Sequence, residues 1–222
     1  MELIVNFRGQ EYIIPDTIFN TFIVVIILAV LGILVGRYFK RLDPRRKPGK
    51  LQTIFEVLVE GVDNLVETNM GKHNLKFAPY IFSLALFLIV SNLFGLTGLT
   101  PPTADISVTM SLALITFLLT QIFKFRSNHG FLGYLKSFTE PLAVITPVNI
   151  IGELAAPISL SFRLFGNIMS GGLIMTLIYT ALGKITPVVA APLHGYFDLF
   201  AGVLQTFIFV MLTMLYIGGD AE

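Results

Sequence analysis

The sequence predicts an all-α integral membrane protein with about five transmembrane helices and one amphipathic interfacial helix. Its mean hydropathy is +0.80, and 55% of the residues are hydrophobic. Only 13% are charged, against roughly 25% in an ordinary soluble domain. Long uncharged runs recur along the chain, and a helical span of a bilayer needs about 20 apolar residues. This composition excludes a soluble globular enzyme, a disordered protein and a coiled coil, and we expect one membrane domain over residues 1–222.

The spans follow from the uncharged runs and the residues that end them. The first run, Thr17–Gly36, has no basic segment before it and is too long for a signal-peptide core, so it is a retained span. The second ends in Gly95–Pro102, which predicts a turn because Gly and paired Pro end helices. The last two runs are apolar but interrupted by single charges. The predicted spans are residues 17–39, 76–98, 105–125, 141–182 and 187–217.

An amphipathic segment separates the first two spans, and we predict a helix at residues 50–68. Apolar side chains recur there at helical spacing, with acidic ones on the other face. We expect this helix to lie in the headgroup region, while docking of a soluble partner on the acidic face remains an alternative. The apolar residues are Leu51, Ile54, Phe55, Leu58, Val62 and Leu65, and the acidic ones are Glu56, Glu60, Asp63 and Glu67.

Basic residues predict the orientation in the membrane. Arg37–Lys50 contains seven of the fifteen basic residues, and Lys124 and Arg126 follow the third span. The positive-inside rule places both loops in the cytoplasm. The N-terminus is then outside and the C-terminus is cytoplasmic, which five spans satisfy.

Several classes of site are excluded by the composition and by missing motifs. The chain has no cysteine, and its 15 basic residues are balanced by 14 acidic ones, without the basic stripe of a nucleic-acid binder. His73 and His129 lie in polar loops and are interpreted as solvated. No phosphate-binding loop, nucleophile elbow or metalloprotease motif is present. We therefore expect no catalytic residue, cofactor, metal or nucleic-acid partner.

Arg163 is the most informative residue, because no other charge lies within nine residues before it or twenty after it. An arginine at the centre of a membrane helix costs about 2.5–3.5 kcal/mol on insertion scales. Snorkelling to an interface, or pairing with Asp198, would be structural explanations. The surrounding stripe instead suits close passage of a partner helix with an opposite charge. That stripe contains Ala156, Ser159, Arg163, Gly166, Asn167 and Ser170.

Asp198 is the second intramembrane signal, since such a carboxylate is a functional candidate by default. His194 and Gln205 share its predicted helix face. His194 would extend an aqueous path or be a turn histidine near the outer interface. Gln205 would belong to the site or donate an ordinary interhelical hydrogen bond. Glu153 would be interfacial or line an inner path. One fixed cation and a few acids inside a membrane indicate an ion path.

Two motifs carry a resemblance to subunit a of the F-type ATP synthase. They are Ser161–Asn167 (SFRLFGN) and Gln205–Tyr216 (QTFIFVMLTMLY), and their combination is highly specific. Further agreement comes from Val90–Leu96, Pro102–Asp105 and Pro147–Glu153. The similarity runs in order over roughly residues 75–218.

The resemblance implies a non-catalytic stator in a bacterial plasma membrane, pressed against a rotating ring of c-subunits and held by the b-subunit peripheral stalk. The subunit would supply two offset half-channels, so that H⁺ or Na⁺ flow drives rotation and ATP synthesis. Arg163 would face the carboxylates of the ring and block leakage between the half-channels. Asn167 and Gln205 would lie beside it, with Ser159 on the same surface. The last two long helices would lie tilted along the ring.

The chain departs from the family pattern at two positions. Many bacterial members carry a glutamate nine residues after the arginine and a histidine seven before the glutamine; here these positions are Gly172 and Asp198. We therefore expect Asp198 to be the acid of the outer half-channel. The exchange leaves sodium coupling open, since Na⁺ needs no proton relay.

Two other classes of function remain. In a self-contained secondary transporter, Arg163 would bind an anionic substrate, but such proteins usually contain inverted repeats, and none is visible here. In a purely structural assembly subunit, Arg163 and Asp198 would form a buried pair, and replacing both together would be tolerated.

Overall fold

The computed structural model describes residues 3–7, 10–41, 49–127, 131–139 and 143–218. An antiparallel hairpin that was not predicted comes first, with β1 (Leu3–Phe7) paired to β2 (Gln10–Ile14) and Leu3 opposite Ile14. Eight α-helices follow, joined in places by 3₁₀ turns. They are α1 (Asp16–Lys40), α2 (Lys50–Met70), α3 (Ala78–Leu93), α4 (Ile106–Ser127), α5 (Phe131–Thr139), α6 (Thr146–Leu182), α7 (Thr186–His194) and α8 (Ala201–Gly218).

Five helical segments in the described residues are long and apolar enough to cross a membrane, which confirms the predicted all-α membrane fold class. They are Asp16–Lys40, Lys72–Thr97, Ile106–Arg126, Thr146–Leu182 and Val188–Gly218. Most of α1 faces outward, and among its residues only Asn20 and Val24 are buried. Exposed apolar side chains such as Phe22 and Ile26 fit a lipid environment.

Several predicted features lie outside the described residues. They include part of the first basic loop (residues 42–48), His129, the first two residues of the predicted fourth span (141–142) and the C-terminal residues 219–222.

The turn after α3 forms where glycine and proline were expected. Gly98 has φ 78°, in the left-handed region that favours glycine, and Pro102–Ala104 form a 3₁₀ turn. The amide of Asn20 donates to the carbonyl of Thr100 at 2.8 Å. This bond fixes the turn to α1.

The core lies where α3, α4, α6 and α8 pack together. In lipid, such packing depends on van der Waals contact and interhelical hydrogen bonds, not on transfer from water. Buried polar side chains are therefore part of this core, and Asn92 of α3 bonds to α8 and to the turn before α4. The largest fully buried apolar side chains are Ile81, Leu88, Leu164, Phe209, Met214 and Ile217.

The segment predicted to lie at the interface is helical, as α2. Its last turns pack on the core through Val66 and Met70, and nearer its start the ring of Phe55 contacts that of Phe39 of α1. A Cβ added at Gly218 would lie 3.2 Å from the Cα of Met70, so any larger residue there would require α2 to move by a few tenths of an ångström. Leu51 and Val57 are about 60% exposed (62% and 61%), and the position of this apolar face in the headgroup region remains a prediction.

Candidate functional site

Arg163 projects from the exposed face of α6, and its surroundings reverse the pattern of a lipid-facing helix, which would expose apolar side chains. The bulky side chains of Leu160 and Leu164 are buried in the bundle, at 3% and 0% exposure. Ser159 and Asn167, one turn to either side of Arg163, are exposed. The small and polar stripe therefore forms an outer surface of the subunit, open to another helix.

No acidic side chain in the described part of the chain lies within ion-pair distance of Arg163. Asp198 contacts His194 instead. The structure therefore does not contain the Arg163–Asp198 pair that a purely structural explanation requires.

Asn167 and Gln205 join α6 to α8 beside the arginine. The Asn167 side-chain amide donates to Oε1 of Gln205 at 2.7 Å. Gln205 is only 2% exposed, and its Nε2 has no hydrogen-bond partner among the described residues. A buried donor without an acceptor costs about 1–3 kcal/mol, so this amide group is a local energetic cost in the contact between α6 and α8.

A second cluster lies near the C-terminal ends of α6 and α7. Nδ1 of His194 bonds to Oδ2 of Asp198, and Nε2 of the same ring bonds to the hydroxyl of Tyr179. Asp198 lies in a π-helical stretch, Gly195–Phe200, that joins α7 to α8. Such stretches are frequent at functional sites, and nothing in the sequence predicted this one or the hydrogen bond of Tyr179 to His194.

The surroundings of Asp198 and Gly172 differ. A Cβ added at Gly95 would lie 3.6 Å from Cγ and Oδ1 of Asp198, so this carboxylate abuts the turn after α3. A Cβ at Gly172 would meet nothing within 4 Å, whereas at Gly171 it would meet Phe197 at 3.4 Å. Gly172 therefore faces open space, and the carboxylate in this part of the molecule belongs to Asp198.

A third cluster surrounds Glu153 near the start of α6. Glu153 forms an ion pair with Lys124 of α4 and accepts a 3.0 Å hydrogen bond from Gln121. Tyr134 of α5 donates to Gln121 at 2.6 Å. Burial and the negative charge of Glu153, partly offset by Lys124, raise the pKa of Tyr134 above its ordinary value, so the phenol stays protonated. Glu153 was singled out from the sequence, and Lys124 only for the orientation in the membrane; Gln121 and Tyr134 were not predicted.

A cavity of about 580 Å³ opens beside this cluster, between α4, α6 and α8. Gln121, Lys124 and Glu153 line its polar part. Ala156, which belongs to the stripe around Arg163, also lines it. The cavity therefore reaches from the ion pair to within two turns of Arg163.

No group of three or more histidine, cysteine or acidic side chains that could hold a metal ion occurs among the described residues. The expectation that the chain binds no metal or cofactor remains a prediction.

Comparison with known proteins identifies the family. Residues 18–218 match the family described as ATP synthase A chain. The "ATP synthase subunit a, sodium ion specific" of Propionigenium modestum is 40% identical over 79% of this chain and 66% of its own length. "ATP synthase subunit a 3" of Pelobacter propionicus is 35% identical over 93% of this chain and 88% of its own length. "ATP synthase subunit a" of Trichlorobacter lovleyi is 36% identical over 93% of this chain and 87% of its own length.

These matches cover both motifs that carried the resemblance, and together with five membrane-spanning helices they confirm it. The chain therefore belongs to the ATP synthase A chain family, the ion-translocating stator subunits of the F-type ATP synthase.

Proposed function

We propose that this subunit provides two offset half-channels to a ring of c-subunits, with Arg163 as the barrier between them. The observation that carries the proposal is the exposed Arg163 on a stripe of small and polar residues, without an acidic partner among the described residues. A charge in this position needs a carboxylate from another chain. The ion-binding carboxylates of a c-ring are groups of that kind.

The two polar clusters lie on opposite sides of Arg163 along α6. Glu153 precedes it by about 15 Å and Tyr179 follows it by about 24 Å, at 1.5 Å per residue. They are about 39 Å apart along the helix axis, and the tilt expected for α6 shortens this distance along the membrane normal. The two clusters therefore lie towards opposite membrane faces, with Arg163 between them. This arrangement supports two separate half-channels.

The charges suggest how the ion moves. In the direction of synthesis, the ion reaches a ring carboxylate from the side of His194 and Asp198, which neutralises that carboxylate for its passage through lipid. When the carboxylate arrives at Arg163, the fixed positive charge favours its ionised form. The ion then leaves through the cavity beside Glu153. Asn167, Gln205 and Ser159 line the surface along which the carboxylate passes.

The wider assembly follows from the same proposal. The subunit has no catalytic chemistry of its own and acts with the catalytic part of the complex, the c-ring and a b-subunit peripheral stalk. The positive-inside rule, applied to Lys124 and Arg126, supports a position of the cavity beside Glu153 on the cytoplasmic side of a bacterial plasma membrane. The N-terminus is then outside, and the cluster around His194 faces the exterior.

Sodium coupling is the second candidate, because the relative from Propionigenium modestum is named as sodium-ion specific. ATP-driven pumping decides between the ions. Full pumping without sodium, abolished by a protonophore, indicates protons. Pumping that requires sodium and resists the protonophore indicates sodium.

Replacement of Arg163 by alanine tests the proposed function. We would measure ATP-driven pumping and passive ion leak in inverted vesicles, with assembly of the complex checked on the same membranes. The expected result is an assembled complex without pumping and with a raised leak. Arg126→Ala is the matched control, since it removes an exposed arginine near the end of α4.

Pumping by Arg163→Ala at a rate near that of the wild type would refute the barrier role. Equal loss of pumping in both arginine variants would also count against it, because the effect would then not depend on the position of Arg163.

A further inference from the structure

We propose that Tyr179 is the outermost member of a proton relay, Tyr179–His194–Asp198, that forms the outer half-channel. This inference rests on the proposed function, because it requires an outer path that leads to the ring. It adds a translocating residue and identifies the ion that this path carries as the proton.

The hydrogen-bond geometry brings three elements together. Tyr179 lies in the last turns of α6, His194 ends α7, and Asp198 lies in the π-helical stretch. Both ring nitrogens of His194 are engaged, one by the Tyr179 hydroxyl and the other by the Asp198 carboxylate. A neutral imidazole has one donor and one acceptor nitrogen. The pairing is satisfied when Nδ1–H donates to Asp198 and Nε2 accepts from Tyr179.

Exposure decreases along the chain of bonds. Tyr179 is exposed, whereas His194 and Asp198 are half-buried, and the side chain of Asp198 (21% exposed) is more buried than that of His194 (31%). Tyr179 lies three residues before the C-terminal end of α6, at the turn that the positive-inside rule places outside. The three groups therefore lead from the exposed rim towards the interior.

The arrangement supports a proton step in which every atom is accounted for. The Tyr179 hydroxyl donates its proton to Nε2 of His194 and regains one from a hydronium ion in the external water. The imidazole passes its Nδ1 proton to Asp198, whose carboxylate becomes a carboxylic acid. Asp198 then releases this proton to a ring carboxylate and is again a carboxylate. The partly exposed imidazole loses its Nε2 proton to water and takes one at Nδ1 from water, which restores the starting tautomer. A sodium ion cannot follow these steps, because the imidazole and the phenol transfer a proton by breaking one N–H or O–H bond and forming another.

Few other titratable groups bear on His194. Among the described side chains of the elements that pack against α7, Tyr196 lies on the π-helical stretch, and its ring packs on Phe197 and Phe200. Glu153 and Arg163 share α6, but Arg163 is about 24 Å from Tyr179 along the axis. Tyr179 and Asp198 are therefore the described titratable groups that contact the imidazole.

Passive proton conductance through the membrane part of the assembled complex tests the relay, after removal of the catalytic part. The pH on the outer face is varied from about 5.5 to about 8.5, which brackets the titration of an imidazole, and the pH on the inner face is fixed. Tyr179→Phe removes only the hydroxyl, and Tyr196→Phe is the matched control. A further pair, His194→Gln alone and combined with Tyr179→Phe, tests coupling.

We expect Tyr179→Phe to lower conductance about fivefold, equivalent to about 1 kcal/mol in the barrier. The change should alter the dependence on outer-face pH and leave the dependence on inner-face pH as in the wild type. Tyr196→Phe should behave as the wild type. The double variant should conduct no less than His194→Gln alone, because a broken relay cannot be broken again.

Three results would overturn the relay. The first is a Tyr179→Phe conductance and pH profile identical to those of Tyr196→Phe. The second is a loss of conductance in Tyr179→Phe that adds fully to the loss in His194→Gln, while the dependence of Tyr179→Phe on outer-face pH stays as in the wild type. A purely structural role of Tyr179 predicts this result. The third is wild-type conductance that requires sodium and ignores outer-face pH, which would leave the stator function intact. Failure of the stator function appears separately, in Arg163→Ala.

Discussion

Asn92 connects three parts of the bundle, and its removal has an effect that can be worked out from the structure. Its side-chain amide donates to the carbonyl of Gly202 at 2.9 Å and to Oγ1 of Thr206 at 3.0 Å. Its carbonyl oxygen accepts from Oγ1 of Thr103 at 2.9 Å. Asn92 is 1% exposed and Thr103 is 0% exposed, so water cannot replace the amide when it is removed.

Asn92→Ala removes three interhelical or helix-to-turn hydrogen bonds. Bonds of this kind in membrane proteins contribute about 0.6 kcal/mol on average, and in soluble proteins about 1 kcal/mol. The three together give about 2–3 kcal/mol. For a chain of this size, each kcal/mol lowers the melting temperature by about 2–4 °C. We therefore expect a decrease of about 4–12 °C.

Thermal melting of the purified full-length chain in detergent, followed by the loss of its monomer peak in size-exclusion chromatography, measures this decrease. Asn69→Ala is the matched control, because the Asn69 amide donates within its own helix and is exposed. A melting temperature of Asn92→Ala equal to that of Asn69→Ala would refute the assigned energetics of this network.

Two further predictions concern packing and charge. A Cβ at Gly202 would lie 3.1 Å from the Cβ of Asn92. Because overpacking costs about 1–3 kcal/mol, Gly202→Ala should lower the melting temperature by several degrees. Gly36→Ala is the control and should leave the melting temperature unchanged, since a Cβ there would meet nothing within 4 Å. Glu153→Gln breaks the ion pair with Lys124 and should destabilise the chain, and adding Lys124→Gln should restore most of the melting temperature. If Glu153 lines the inner path, ATP-driven pumping should stay low both in Glu153→Gln and in the double variant with Lys124→Gln. If pumping recovers together with the melting temperature in the double variant, the ion pair between Glu153 and Lys124 is structural.

The sequence predicts most of the fold because the strongest constraint is the membrane itself. Spans of about 20 apolar residues, ended by charges or by glycine and proline, are visible in one dimension. The turn at Gly98 was predictable for the same reason, since few residues other than glycine adopt its φ. The hairpin before α1 was not, because two five-residue strands have too little periodicity to be recognised in an apolar chain.

The candidate site could be predicted only at residues whose own transfer into a membrane costs free energy. Arg163 and Asp198 were singled out because charges inside a membrane are expensive. Tyr179 and Gln121 carry no charge, and their importance comes from contacts between different helices. The π-helical stretch that contains Asp198 has no distinctive amino-acid composition from which it could be predicted. Such features depend on packing, which a single sequence does not contain.

Arg163 differs from the buried polar groups of the subunit in being both charged and exposed. Unsatisfied atoms alone do not mark the site, because the buried Nε2 of Gln205, Oγ of Ser91 and Oγ1 of Thr213 all lack a hydrogen-bond partner among the described residues. Arg163 instead presents its charge at the surface of α6, without an acidic partner among the described residues. In the proposed function, a permanent acidic partner within the subunit would neutralise the charge that acts on the ring carboxylate, so Arg163 serves that function by lacking one.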